Sequence, residues 1–227
     1  RRVGTVPSHR ALIFGAQGLV GSRLLAQLAA HHAYAQIEAP VRRPLVPLPP
    51  RVRAPCIDFD RLDDFVPSAS PDHVFCCLGT TLRKAGSQAA FRRVDHDLVV
   101  AIARLALRHG AQHLVFVSAL GANPVSRVFY NRVKGEAEAA VFALGLPKVT
   151  ALRPSLLAGD RTESRPAERA GLWLAKAVAP LLLGPLRRYR AIEADAVARA
   201  MIAIALAGVP TGAVESEAIA ALAATTS

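Results

Sequence analysis

Residues 11–21 read Ala-Leu-Ile-Phe-Gly-Ala-Gln-Gly-Leu-Val-Gly. The run Ala11–Phe14 is continuously apolar, as a strand buried on both faces must be. Gly15, Gly18 and Gly21 follow it at three-residue spacing, and then Leu24, Leu25 and Leu28 recur on one helical face. Strand, glycine turn and helix form the setting in which such glycines meet a dinucleotide. Gly15 lets the chain turn sharply out of the strand, where a Cβ would clash. Gly18 lets backbone N–H groups approach a pyrophosphate, and Gly21 lets the helix pack closely. Gln17, Leu19 and Val20 fill the turn between them, and the helix N-terminus offers its unpaired N–H groups to an anion. An ordinary glycine-rich turn has the same local pattern, so the rest of the chain decides.

The chain has 227 residues, of which 52% are hydrophobic and only 5% aromatic. That suits one globular α/β domain with a core of Leu, Val and Ala, large enough to stand without disulfides. The expected organisation is a loose polar arm over 1–10 and a single domain over 11–227. The formal net charge is +11. Arginines are scattered singly along helices rather than gathered in a stripe, so a solvated basic surface is expected and no nucleic-acid partner. Cys56, Cys76 and Cys77 have neither zinc nor redox spacing; no metal site is expected, and the cytoplasm is the expected location. Cys76 and Cys77 fall in an apolar run and are read as small buried hydrophobes on opposite faces of a strand.

Outward from the glycine turn, strands and helices alternate. The first helix ends near His31 and His32, and Ala35–Arg42 reads as the second strand, closing on Arg42 and Arg43. An acidic residue at this place serves the ribose hydroxyls of NAD, whereas arginine suits a 2′-phosphate. The pair therefore points to NADP(H) over NAD(H), or else is a pair of surface charges. Glu38, the nearest acid, lies inside the strand pattern. The proline-rich stretch Pro44–Pro50 is extended. Val52–Ile57 is a short strand followed by Asp58, read either as a partner for the adenine amino group or as the cap of a short helical turn over 60–66.

His73–Leu78 is a buried strand closed by Gly79, Thr80 and Thr81 at the cofactor edge. Gln88–His109 is a helix with Phe91, Val94, Leu98, Ile102 and Leu105 at helical spacing, and Gly110 ends it. His113–Val117 is the next strand, followed by Ser118. A helix covers 126–144, and Val149–Leu152 is a strand closed by Arg153 and Pro154. This grammar specifies α/β with a parallel sheet. Beyond Gly159 come an apolar stretch, Gly171–Leu183, with Trp173; a helix over 192–207; a short strand, Gly212–Val214; and a terminal helix, Glu217–Ala223. The substrate side is expected to come mainly from 155–190.

Ser118, Tyr130 and Lys134 carry the candidate chemistry. Ser118 follows a strand at its carboxyl end; Tyr130 and Lys134 stand four apart on the next helix, on one face. Carbonyl reduction needs a proton donor at the oxygen. A tyrosine ordinarily holds its proton to pH ~10, and a neighbouring ammonium stabilises the phenolate. Lys134 fits that role while also holding the nicotinamide ribose, and Ser118 can hydrogen-bond the substrate carbonyl.

These motifs, Gly15–Gly21, Cys77-Leu-Gly-Thr-Thr81, Ala85-Gly-Ser87, Val117-Ser-Ala-Leu-Gly-Ala122, Tyr130-Asn-Arg-Val-Lys134-Gly-Glu136 and Leu152-Arg-Pro-Ser155, fall in the order of a known pattern. Across roughly 10–225 the chain resembles the short-chain dehydrogenase/reductase superfamily, and within it the atypical branch of Tat-interacting-protein-like NAD(P)H-binding oxidoreductases. The resemblance implies a Rossmann-type doubly wound parallel sheet with helices on both faces and a small, mostly helical C-terminal part. It implies NADP(H) held by the glycine turn, by Arg42 and Arg43, by a loop at Leu78, Gly79, Thr80 and Thr81, and by Pro154, Ser155 and Leu157. It assigns catalysis of hydride transfer on a small carbonyl or alcohol to Ser118, Tyr130 and Lys134. Related families often carry Asn near position 95 for a proton relay; Val94-Asp95-His96-Asp97 departs from that. A non-catalytic NADPH-binding regulatory or scaffold protein, and contact with a membrane surface, are the competing readings. A monomer or a homodimer is expected.

Overall fold

The computed structural model describes residues 9–158 and 190–225. Strand β1 (His9–Phe14) stands at the centre of a sheet because both of its faces are apolar. Leu12 and Phe14 point into one core, and Ala11 and Ile13 into the other. Helix α1 (Leu19–Ala30), β2 (Tyr34–Glu38) and β3 (Val52–Arg53) follow. After a 3₁₀ helix (Phe59–Asp64) come β4 (His73–Cys76), α2 (Leu82–Ala85), α3 (Gln88–Arg92), a π-helical turn (Arg93–Asp97), α4 (Leu98–Arg108), β5 (His113–Val117), α5 (Phe129–Phe142) and β6 (Val149–Arg153). A two-residue strand β7 (Leu157–Ala158), its partner β8 (Ile192–Glu193), α6 (Ala194–Ala207), β9 (Gly212–Glu215) and α7 (Ser216–Ala224) complete the described chain.

The seven-stranded sheet runs β3-β2-β1-β4-β5-β6-β9, every pairing parallel. This is the doubly wound Rossmann arrangement, whose order reverses between β1 and β4; the crevice outside the carboxyl ends of those strands is its binding place. Helices α1, α6 and α7 cover one face, packing Leu24, Leu28, Val197, Met201 and Ile219 with Ile13, Phe75 and Val115. Helices α4 and α5 cover the other, packing Ile102, Leu105 and Val141 with Leu12, Val74 and Phe116. Cys76 and Cys77 part to opposite faces as read, and burial pushes the Cys76 thiol up to about 11.

Several expected elements are shorter or shifted. Strand β1 begins at His9, so two residues assigned to the arm belong to the sheet; residues 1–8 lie outside the described residues. Strand β2 ends at Glu38, leaving Arg42 and Arg43 in the following loop, where a single bridge pairs Val41 with Cys56. The buried Glu38 carboxylate accepts from the Ser68 N–H and hydroxyl at 2.7 and 2.8 Å. The single helix expected over 88–109 contains the π-helical turn. A π turn is wider than an α turn and moves the phase of what precedes it. The buried row becomes Phe91, Asp95, Val99, Ile102 and Leu105, and Val94 and Leu98 move off it. Helix α2 occupies part of a stretch expected to be loop, capped by Thr81 Oγ1 accepting from the Lys84 N–H at 3.2 Å. The apolar stretch Gly171–Leu183 with Trp173 lies outside the described residues.

Two polar networks tie the edges. Arg153 on β6 donates through Nε to Glu138 Oε1 at 3.0 Å and through Nη1 to Glu215 Oε1 at 2.9 Å, joining α5, β6 and β9. The Glu138 hydrogen bond, with Glu215 and opposed by burial, raises the guanidinium above its ordinary range. At the opposite, amino end of the strands, His73 and His113 are register partners on β4 and β5. His73 Nδ1 meets the Tyr34 hydroxyl at 2.9 Å under a stacked His9 ring, and His113 Nε2 meets Thr150 Oγ1 at 2.9 Å. Burial first, then neighbouring His9, His113 and Lys148 against the weaker pull of Asp72, lowers His73 to about 4. Burial and Lys148 lower His113 to about 4.

The turn that places the crevice is close-packed. Gly15 has φ +85°, and a Cβ there would lie 2.8 Å from the Cys77 carbonyl carbon. A Cβ on Gly21 would lie 2.0 Å from the Gly15 oxygen, so the first turn of α1 rests directly on the end of β1. The Gly18 N–H donates to the Gly15 carbonyl at 2.9 Å and closes the turn. Gly21→Ala must push these backbones apart, and a loss of about 1–3 kcal/mol in urea unfolding is expected. For the buried histidines the unfolded state binds more protons below pH ~6.5. Stability is therefore full above that pH and declines as pH falls toward about 4. Urea midpoints measured across this window should fall, and His73→Asn should flatten the dependence.

Candidate functional site

A cleft of about 450 Å³ opens at the carboxyl ends of β1, β4 and β5. One wall is the glycine turn and the start of α1: Gln17, Gly18, Leu19, Val20, Ser22 and Arg23. The first amides of α1 have no intrahelical acceptors and face this opening. A second wall is the end of β4 and its turn, with Cys77, Leu78, Gly79, Thr80, Thr81 and Lys84. The third comes from Val117 and Ser118 after β5, from Tyr130 and Lys134 on α5, and from Leu157. Topology brings together residues more than a hundred positions apart, since parallel strands all deliver their carboxyl ends to one edge.

Ser118 is 5% exposed, and its Oγ has no hydrogen-bond partner among the described residues. A buried hydroxyl without a partner is costly unless a ligand supplies one. Tyr130 is partly buried, with its ring 5.4 Å from Phe91. Lys134 is buried, and its Nζ lies 2.8 Å from Asp95 Oδ1 in an ion pair. Burial alone would lower this ammonium, but Asp95 and then Tyr130 outweigh it and the group sits above the usual lysine range. Gly135 lets α5 lie against the loop before it, because a Cβ would stand 2.2 Å from the Asn123 carbonyl carbon.

Of the residues read from the sequence, Gln17, Gly18, Leu19, Val20, Leu78, Gly79, Thr80, Thr81, Ser118, Tyr130, Lys134 and Leu157 line this one cleft. Gly15 and Gly21 shape its turn from behind. The others stand outside its lining. Arg42 and Arg43 are exposed in the loop after β2, which is joined to the glycine turn by Gln17 Nε2 donating to the Arg43 carbonyl at 3.1 Å. Asp58 caps the 3₁₀ helix, accepting from the Asp60 N–H at 2.9 Å. Pro154 is buried behind the wall, and Ser155 turns away, its hydroxyl donating to the Arg190 carbonyl and accepting from Ser216.

Asp95 and Arg23 are charged lining residues that were not among the expected site residues. Arg23 reaches Asp195 at 3.6 Å. Asp95 has a side chain with no solvent exposure. Its spacing of four from both Phe91 and Val99 is the available signal. No group of three or more His, Cys, Asp or Glu able to hold a metal occurs among the described residues, and no described helix is long and apolar enough to cross a membrane.

Residues 11–212 match the NAD dependent epimerase/dehydratase family. The chain is 37% identical over 194 residues to Protein HTATIP2 of Rattus norvegicus, covering 84% of this chain and 78% of that one. It is 34% identical over 199 residues to Protein fmp52, mitochondrial, of Aspergillus fumigatus, covering 84% of each. Among solved structures, MoeE5 in complex with UDP-glucose and NAD superposes with a TM-score of 0.65 at 18% identity, covering 95% of this chain and 81% of that one. The human epimerase family protein SDR39U1 with NADPH gives 0.60 at 16%, covering 90% and 72%. These two show the same fold. Several fungal relatives carry the word mitochondrial in their names, which overturns the expectation of a cytoplasmic location. Cysteine usage distinguishes reducing from oxidising surroundings, and the cytoplasm is not the only reducing compartment. With the doubly wound sheet, the glycine turn and these relatives together, the chain belongs to the NAD dependent epimerase/dehydratase family, in the atypical short-chain dehydrogenase/reductase branch that contains HTATIP2 and the fmp52 proteins.

Proposed function

We propose that this protein is an NADPH-dependent oxidoreductase of the short-chain dehydrogenase/reductase type that acts on a small carbonyl or alcohol. The observation that carries the reading is the convergence of Ser118, Tyr130 and Lys134 on one cleft walled by the glycine turn. The residues fit a dinucleotide. Gly15 and Gly21 keep a turn that any Cβ would fill, and the α1 N-terminus faces the opening as a pyrophosphate requires. Arg42 and Arg43, solvent-facing on a loop hydrogen-bonded to that turn, would take the 2′-phosphate. The Leu78–Thr81 turn and Leu157 would border the nicotinamide half, with Pro154 and Ser155 supporting Leu157 from behind. The bound cofactor would supply or accept a hydride.

In this reading the Ser118 hydroxyl, which has no partner among the described residues, donates to the substrate oxygen. The Tyr130 hydroxyl delivers the proton to that oxygen during reduction, and the Lys134 ammonium stabilises the phenolate left behind. A single domain over 11–227 would supply these groups, with 155–190 forming the substrate side. The fungal relatives' names support a mitochondrial setting.

Titration with NADPH and NADH, followed by nicotinamide fluorescence, tests the cofactor half. NADPH should bind about tenfold or more tightly than NADH, and Arg42→Ala with Arg43→Ala should remove that difference while sparing NADH. Binding of neither nucleotide would shift the reading to a partner-binding role. For the chemistry, Tyr130→Phe should lower turnover of a carbonyl substrate by about 10²–10⁴-fold with NADPH affinity retained.

A further inference from the structure

Asp95 is fully buried beside the cleft, and its surroundings require a carboxylate. Two donors reach it from different elements. The Thr80 N–H, in the turn after β4, donates to Oδ2 at 2.9 Å. The Lys134 Nζ, on α5, stands 2.8 Å from Oδ1. The backbone of the turn lies directly over the pair, since a Cβ on Gly79 would be 3.4 Å from Asp95 Oδ1 and 3.8 Å from Lys134 Nζ. A carboxylate presents an acceptor to each donor, whereas an amide would turn an NH₂ group toward one of them. Spacing of four from Phe91 puts Asp95 on the buried face, and the π-helical turn Arg93–Asp97 carries that row on to Val99.

We propose that Asp95 is a positioning residue for the nucleotide: it locks the Lys134 ammonium to the Gly79–Thr80 turn, so that α5 and the turn present one preassembled surface to the nicotinamide half of the cofactor. The proposal rests on the dinucleotide reading above. Oδ2 accepts the Thr80 N–H and Oδ1 faces the Lys134 ammonium in the ion pair, so Asp95 holds the lysine rather than relaying protons. The other titratable groups facing Lys134 are Tyr130 on its own helix and Cys76 on β4; Arg23 and Lys84 line the other two walls of the cleft. Burial opposes the Lys134 charge, and Asp95 is the foremost group that sustains it. Without the carboxylate, a buried ammonium gives up its proton more readily.

The test is NADPH titration of the full chain between about pH 7 and pH 9.5, for wild type, Asp95→Asn and the double variant Asp95→Asn/Lys134→Gln. Wild-type affinity should be constant across this range. Asp95→Asn should bind about tenfold more weakly and weaken further as pH rises. The double variant buries no unpaired ion, which keeps the test open should the single variant fail to fold; it should bind weakly at every pH. Wild-type affinity in either variant, with a flat pH profile, overturns the role of Asp95 and leaves the dinucleotide reading standing. Absence of NADPH binding by the wild type overturns both.

Discussion

Between Phe14 and Leu19 the chain must leave a central strand and enter a helix while the end of β4 stands against it, with no room for a side chain at Gly15. A Cβ at Gly15 would press on the Cys77 backbone, and one at Gly21 on the Gly15 carbonyl. This close approach sets the rest of the cleft. It brings the α1 N-terminus to the carboxyl edge of the sheet, at the place where the strand order reverses between β1 and β4. The opening there follows from topology, because the connections from these two strands leave toward opposite faces. Its polarity follows from the backbone, since the first amides of a helix have no partners of their own.

The second organising feature is electrostatic. Burying an ammonium is expensive, and an ion pair seldom repays the cost in stability. The chain nevertheless buries Lys134 and supplies Asp95 from a helix distant in sequence. A pair held this way joins three elements, α5, the π-helical turn and the turn after β4, at the mouth of the cleft. The Arg153–Glu138–Glu215 network acts farther along the same helix. It braces α5 against β6 and the added strand β9, keeping the helix that carries Tyr130 and Lys134 in register with the sheet. Between the two networks, one helix is fixed at its cleft end and at its middle.

Much of the fold was legible because its signals are local. Continuous apolar runs specified β1, β4, β5 and β6, and the glycine turn and alternating helices specified a parallel doubly wound sheet. Tyr130 and Lys134 were legible as a pair because helical spacing of four puts them on one face. The pairing of Asp95 with Lys134 was not legible. It links two elements far apart in sequence, and the π turn leaves Val94 and Leu98 off the buried row on which unbroken helical spacing placed them. The partition of Asp58, between capping a short helix and meeting a ligand, likewise needed the path of the chain beyond β3.

The sequence by itself determined which residues have the chemistry of this site and which of them sit at strand ends or on one helix face, because periodicity and glycine sterics act over a few residues. Only the tertiary structure decided that Ser118, Tyr130, Lys134 and the glycine turn share one cleft, that Arg42 and Arg43 lie beyond its lining, and that Asp95 faces Lys134. Those relations span up to a hundred residues and more, and they are settled by the order of strands in the sheet and by the phase of one helix, which no local pattern encodes.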